Sequence, residues 1–474
     1  MGKSRNTDIY RAIPPIDELL AHSRIAALRS DYAAFPWTRL LRSVVEDFRR
    51  HPDPAQELGD VSRESVAEWI VGRAAGRVRD LREGGQRRVL NGTGVILNTN
   101  LGRATWGPSP VAAAVAAMAG YVNLEIDLES GHRSHRADVL RELVELATGA
   151  ESAMVVNNNA AAVYLCVNSF SPPGRVIVSR GELVEIGGSF RLPEILRHAA
   201  SEVIEIGTTN RTYAEDYANV AREGDVILKV HKSNYEIKGF THEAGIAELA
   251  EVAHGSGAHL VYDLGSGALF DYRGAGLGDD PVVASVIEAG VDAVTMSGDK
   301  LLGGTQAGII AGTSHFVERL KQNPLRRAVR IDKVTVAALQ EVLREYLFGD
   351  AERTVPTLQA VLVDQKHQRE RAESLRAALE PVAPPGVSIE VDDDAAAVGG
   401  GSLSGESLAS AALVIRVADE AAAIRLSRRL RLGETPVVVR IRGAQLRINL
   451  STILTGEEPS LIDALTSVFN ADTL

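Results

Sequence analysis

The stretch Val294–Gly308, VTMSGDKLLGGTQAG, holds one of only eight lysines in a chain that otherwise takes arginine for its cations. Lys300 sits between an apolar run and a pair of glycines. A solvated surface lysine has no need of that setting, but a lysine that forms a Schiff base does. Desolvation beside a strand end lowers its pKa and frees the amine for covalent chemistry. Ser297 is a candidate to bind a phosphate, and Gly303–Gly304 would let the backbone pass close to a cofactor.

Outward from Lys300, HLVYDLGSGALF puts Asp263 at the end of an apolar strand, 37 residues upstream. In open α/β sheets, ligands bind at the carboxyl ends of strands. A carboxylate there is costly unless a cation meets it. A pyridinium nitrogen is one such cation; a structural arginine or a helix cap is the alternative. Farther upstream, ESAMVV runs into Asn157-Asn158-Asn159-Ala160-Ala161-Ala162. Asn caps helices well and small alanines leave the first-turn amides accessible, so this reads as a phosphate cradle or as a plain capped helix. Each feature is weak alone. Their order (cradle, strand-end Asp, strand-end Lys) on an alternating α/β pattern matches the large aminotransferase-like fold that binds pyridoxal 5′-phosphate.

That alternation occupies residues 89–334. ESAMVV, GRVIVS, DVILKVH, AHLVYD and DAVTMS read as buried strands, with RADVLRELVELATG and EAGIAELAEVAHGSG as helices between them. The expected result is a mostly parallel sheet covered on both faces. Residues 1–88 read as a separate helical domain, with apolar residues at spacings of three and four in IDELLAHSRIAALRSDY and WTRLLRSVVEDFRR. Residues 335–474 read as a smaller α+β domain. Within it AVGGGSLSGESLAS, 397–410, is expected to be a flexible insertion; it lacks the Gly-Lys-Ser/Thr ending of a phosphate loop.

Bulk properties exclude several classes. No charged-then-apolar leader and no bilayer-length apolar run is present, so a cytoplasmic protein with no membrane partner is expected. The lone Cys166 rules out an internal disulfide and reads as a small buried residue. His132, His135, His254 and His259 have no companion pattern for a metal site. The net charge is −11, yet residues 1–90 carry 16 Lys/Arg against 13 Asp/Glu, so the amino-terminal segment alone is modestly basic. That permits phosphate contacts without establishing them.

RRVLNGTGVILNTNLGRA, NLEIDLESGHRSHRADV, VVNNNAAAVYL, GTTNRT, VYDLGSGAL, SGDKLLGGTQAGII and NPLRRAVRIDK, with the amino-terminal AIPPIDELL, resemble the bacterial selenocysteine synthase family, the L-seryl-tRNA(Sec) selenium transferases. The likeness spans nearly the whole chain. It implies a fold-type-I pyridoxal-phosphate core, a small amino-terminal domain that engages tRNA, and a homo-oligomeric ring of dimers, a decamer. It implies Lys300 as the Schiff-base lysine, Asp263 as partner of the pyridinium nitrogen, and Asn158, Asn159 and Ser297 near the cofactor phosphate. The implied reaction eliminates water from L-seryl-tRNA(Sec), leaving an aminoacrylate to which selenium from selenophosphate adds.

A selenium donor of that kind is a small polyanion, which arginine forks suit. Arg103, Arg136, Arg327 and Arg330 match arginine-bearing motifs of the family, and the last two, three apart, would share one face of a helix. Asn234 is expected to reach the cofactor edge, with His231 and Lys232 at the same strand end and Glu182 close to the site; a structural role for each stays open. The chain departs from the family at Thr305, Ser134, and Asn449 with Ser451. The competing readings are a pyridoxal-phosphate lyase for a small amino acid or amino sugar acid, and a noncatalytic binder of cofactor or aminoacyl-tRNA.

Overall fold

Apolar residues at helical spacing build the amino-terminal unit, Met1–Arg88, one of two compact units in the computed structural model. The structure describes residues 11–50, 58, 62–134, 138–170, 174–186, 190–275, 277–278, 280–403 and 405–470. The first unit contains helices α1 (Ile16–Ala21), α2 (Ser23–Asp31), α3 (Trp37–Arg50) and α4 (Arg63–Glu83). On α3, Trp37, Leu40, Leu41, Val44, Val45 and Phe48 form one buried stripe. It packs with Leu19, Ile25, Val66 and Ile70. A capping box starts α4: the Ser62 hydroxyl accepts from the Ser65 amide, and the Ser65 hydroxyl accepts from the Ser62 amide.

The second unit, Val89–Leu474, is built on two sheets. Its strands are β1 (Leu90–Gly92), β2 (Ser152–Val156), β3 (Arg175–Ser179), β4 (Glu185–Ile186), β5 (Phe190–Arg191), β6 (Glu202–Ile206), β7 (Val226–Val230), β8 (His259–Gly265), β9 (Ala293–Ser297), β10 (Gly308–Gly312), β11 (Ser388–Ala396), β12 (Leu408–Arg416), β13 (Val437–Arg442) and β14 (Gln445–Asn449). The larger sheet runs β2-β10-β9-β8-β7-β3-β6, and β4 pairs with β5 as a separate hairpin. All pairings from β9 through β6 are parallel. Buried Val, Ile and Leu fill β3, β7 and β8, as expected where helices cover both faces.

β10 is the exception, running antiparallel to both β2 and β9. Its GIIAG offers little pattern to read, but every residue is buried. β2 and β9 thereby end on the same edge of the sheet, with Gly308 paired to Val156 on one side and Ser297 on the other.

The smaller sheet, β1-β13-β14-β12-β11, recruits residues 90–92 to the carboxyl-terminal strands through a parallel pairing with β13. The segment after β11 is not the loose insertion expected of its composition. Ile96 and Leu97 amides donate to Ala397 and Val398 carbonyls at 3.0 and 2.7 Å, and Val398, Ser402 and Leu403 are buried. Its glycines serve packing: Gly399, Gly400 and Gly401 have positive φ and lie against Val95, Leu97 and Ser233.

Candidate active site

Strand ends β2, β8 and β9 supply the chemistry-bearing residues. Asp263 lies within β8, buried, and its Oδ1 accepts from Asn159 Nδ2 at 2.8 Å and from Thr295 Oγ1 at 3.0 Å. The ladder slips just after it, and Gly265 takes φ +71. A Cβ there would lie 3.8 Å from Lys300 Nζ and 4.0 Å from Asp263 Oδ1. Glycine thus keeps open the point on which the amine and the carboxylate converge.

Lys300 follows β9 through the turn Gly298-Asp299 and is 5% exposed. Its amine makes no hydrogen bond or ion pair among the described residues. Burial pushes its pKa down and Arg103 adds to that, against the pull of Asp263, Asp299 and Asp280. Burial likewise raises the Asp263 carboxyl, opposed by the donors Asn159 and Thr295 and by Lys300 and His231. Each group is therefore held toward its neutral form, and a cation delivered to Asp263 would restore its charge.

The structure brings Asn159 to Asp263 directly. Asn158 spends its side-chain oxygen capping the helix Asn159–Ser169, accepting from the Ala161 amide at 2.8 Å. Ser297 is buried at the end of β9, across Gly308 from that cap. Three buried polar atoms around the site have no partner among the described residues: Asn159 Oδ1, Ser266 Oγ and Thr305 Oγ1. Native interiors rarely leave such atoms unpaired, and a polar ligand is one explanation.

The arginines fare differently. Arg103 adopts a left-handed backbone, φ +62, and places Nη1 2.8 Å from Asp299 Oδ2. Arg330 is not on a helical face with Arg327: the helix Leu325–Ala328 ends first, because Arg330 turns into an antiparallel bridge with Val156. That bridge brings Arg330 beside the end of β2, where Nη1 stands 3.7 Å from Glu125 Oε1. Arg327 is exposed, with no ion pair among the described residues. Arg136 lies outside the described residues.

Other expectations need correction. Asn234 is exposed and donates to the Glu185 carbonyl at 3.0 Å, and no contact joins it to Asp263 or Lys300. The glycine pair serves the protein itself: a Cβ at Gly303 would meet Val355 Cγ1 at 2.4 Å, and one at Gly304 would meet the Gly298 carbonyl and Leu339. Glu182 is buried in an ion pair with Lys229 at 2.5 Å and accepts from the Val230 amide, a structural brace for β7. Asn449 and Ser451 belong to a buried network with Ser410.

His231 gains partners that sequence did not suggest. Its Nε2 is 3.1 Å from Asp280 Oδ1, and Nδ1 is 3.4 Å from the Tyr262 hydroxyl. Asp280 also accepts from the Leu403 amide at 3.0 Å, tying the segment after β11 to the site. Asp280 sits in an irregular Gly-Asp-Asp-Pro loop, with no periodicity to mark it. Among the described residues no cluster of three or more His, Cys, Asp or Glu could hold a metal ion.

A buried lysine whose pKa burial pushes down, facing a buried carboxylate at the carboxyl edge of this sheet, is the arrangement expected of an aminotransferase-like, fold-type-I core that takes pyridoxal 5′-phosphate. The orphaned polar atoms and the open point at Gly265 fit that cofactor. The family model for L-seryl-tRNA selenium transferase matches residues 89–454, and the chain belongs to that family. It is 41% identical to the L-seryl-tRNA(Sec) selenium transferase of Moorella thermoacetica, over 98% of this chain and 97% of that one. The Clostridium perfringens transferase is 38% identical over 97% of this chain and 99% of its own. The Nitratidesulfovibrio vulgaris transferase is 39% identical over 94% of this chain and 96% of its own. Among solved structures, D-glucosaminate-6-phosphate ammonia-lyase superposes with a TM-score of 0.56 at 18% identity, covering 82% of this chain and 97% of that one. That likeness concerns the fold alone.

Proposed function

We propose that the chain converts L-seryl-tRNA(Sec) to L-selenocysteinyl-tRNA(Sec), replacing the seryl hydroxyl by selenium from selenophosphate. The observation that carries the reading is the convergence of Lys300 and Asp263 on the space kept open by Gly265. Pyridoxal 5′-phosphate, when bound, supplies an electron sink for the α-carbon. Asp263 would hold its ring nitrogen, Lys300 its aldehyde carbon, and Asn158 and Ser297 its phosphate, while Asn159, expected at the phosphate from the resemblance, is committed to Asp263.

The residues of the chain handle the protons. With its pKa lowered by burial, the Lys300 amine is available as a base for the seryl α-proton and returns a proton when selenium has added at the β-carbon. Asn159 and Thr295 orient the Asp263 carboxylate, so its charge stays fixed during the reaction. Arg103, Arg136, Arg327 and Arg330 are the cations assigned to the selenium donor, whose charge calls for planar forks. Arg103 also neutralises Asp299 beside the reacting amine.

The amino-terminal unit is assigned to tRNA. In it, Arg29, Arg39 and Arg42 line one concavity of about 600 Å³ with Phe35 and Trp37, and no carboxylate lines it. A homo-oligomer, a ring of dimers by the family resemblance, is in keeping with the exposed apolar stripe Val111, Val115 and Met118 on the helix Pro108–Ala119. Among the described residues no helix is long and apolar enough to cross a membrane, in keeping with action in the cytoplasm.

The test is the visible absorption of the cofactor-loaded protein, titrated with seryl-tRNA(Sec), seryl-tRNA(Ser) and free serine in turn. A change with the first alone, and selenocysteinyl-tRNA formed once selenophosphate is added, supports the transferase. A response to the free amino acid but to neither tRNA supports a small-molecule lyase.

A further inference from the structure

An aromatic cluster stands on the carboxyl-end side of the main sheet, outside the groups used above. The loop after β6 and the loop after β7 are laced together. His242 donates its amide to the Asn210 carbonyl at 2.9 Å, and Thr212 donates to the His242 carbonyl at 3.0 Å. Asn210 Nδ2 and Arg211 Nε both donate to the Phe240 carbonyl, at 2.5 and 3.2 Å. On this frame Tyr213 stacks on His242 with ring centroids 4.2 Å apart and planes 23° from parallel.

Phe240, at the tip, is 84% exposed, with the Arg211 guanidinium carbon 6.0 Å from its centroid. Arg211 has no carboxylate partner among the described residues. A single exposed apolar side chain is ordinary on a protein surface. One whose backbone carbonyl is fixed by two side chains, near a second aromatic pair and a guanidinium that meets no carboxylate among the described residues, is a preformed platform.

Its place in the fold gives it an occupant. The residue after His242 is Glu243, which takes Lys232 and, at 3.2 Å, Lys229. Lys229 is in β7, whose end Val230 is paired with Asp263 of β8. The Glu243 contacts tie the platform's second loop to β7, next to β8, while Asn210–Tyr213 follow the edge strand β6, three strand spacings of about 4.8 Å from β8 on the same carboxyl-end side. A seryl group esterified to an RNA end that reaches Lys300 brings the unpaired nucleotides behind it to this carboxyl-end side of the sheet.

We propose that Phe240, with the Tyr213–His242 pair and Arg211, is a stacking site for the unpaired 3′-terminal nucleotides of the aminoacyl-RNA substrate. The inference rests on the RNA reading given under Proposed function. Flat, sequence-tolerant faces suit unstacked bases, and a guanidinium suits the phosphodiester between them. Stacking here holds the strand while leaving the ester free to enter.

The test compares the binding of full-length tRNA(Sec) and of the same RNA lacking its unpaired 3′ nucleotides, to wild type, Phe240→Ala and Phe240→Trp, at fixed salt. Wild type is expected to bind the full-length RNA about tenfold more tightly than the truncated one. Phe240→Ala should lose most of that difference while binding truncated RNA as wild type does, and Phe240→Trp should restore it. Wild-type preference retained in Phe240→Ala overturns the platform and leaves the RNA reading intact. Failure of wild type to bind either RNA overturns the RNA reading, and the platform with it.

Discussion

Arg103 Nη1 stands 2.8 Å from Asp299 Oδ2, so the residue next to Lys300 is neutralised by a group 196 positions away in the chain. The arginine that does this holds a left-handed backbone, which costs a non-glycine residue on the order of 1 kcal/mol. Such strain persists where the surroundings impose it. Here the Arg103 amide donates to the Asn98 carbonyl, and the Ala104 amide to that of Asp299.

Arg103→Ala removes a positive charge that holds the Lys300 pKa down and leaves Asp299, which raises it, uncompensated. The amine must be neutral to attack an aldehyde. The rate of pyridoxal-phosphate capture by the apoprotein should therefore reach half its maximum at a higher pH than in wild type. Stopped-flow absorbance against pH measures this, and coincident profiles would rule out the coupling.

Asp263→Asn tests the buried carboxylate. Burial raises its folded pKa, so its contribution to stability is full below the unfolded value and is lost as pH rises through the folded one. Above the ordinary carboxyl range the apoprotein is thus less stable than it would be with a neutral side chain at this position, which Asn supplies while still accepting from Asn159 and Thr295. The variant apoprotein should melt higher than wild type at pH 7 and no higher at pH 4. Cofactor should then stabilise wild type more than the variant. Calorimetry with and without cofactor decides.

Asp280→Asn weakens the link between His231 and the Leu403 amide. Amide exchange at Leu403 should quicken about tenfold, with the β8 and β9 amides unchanged. Equal protection at Leu403 would mean that the segment after β11 is held by its contacts with Val95 and Leu97 alone.

Asn449→Asp puts a charge into the buried network of the smaller sheet. Asn449 is fully buried, donates to Asp394 Oδ2 at 3.0 Å and accepts from the Ser410 hydroxyl and the Ser451 amide. Aspartate would set two carboxylates against each other, at a cost of about 3–5 kcal/mol in denaturant unfolding. Arg440 and Arg447 already pair with Asp394, so little cation is left to absorb it.

Lys300 and Asp263 were legible because each ends an apolar run of strand length, and strand ends of such sheets are where chemistry collects. β10 was not: GIIAG is five residues without alternation, and its direction depends on its pairing with strands elsewhere in the chain. Nor did any local pattern join residues 90–92 to β13, since that pairing spans most of the unit. The Arg327 and Arg330 spacing pointed to a helix, but a backbone pairing with Val156 ended it. Glycine was the residue most open to misreading. Gly303, Gly304 and Gly399–Gly401 suggested a ligand or a loose loop, and all five serve close packing of the protein on itself.

Gly308 shows the same economy on a larger scale. The Asn158 turn and Ser297 arrive on strands separated by well over a hundred residues, and each is registered against this one position. A Cβ on Gly308 would strike the Asn158 carbonyl at 2.1 Å. The distance between the Asn158 turn and Ser297 is thus gauged by a residue with no side chain of its own. Gly308→Ala would recalibrate the site without altering a single one of its functional groups.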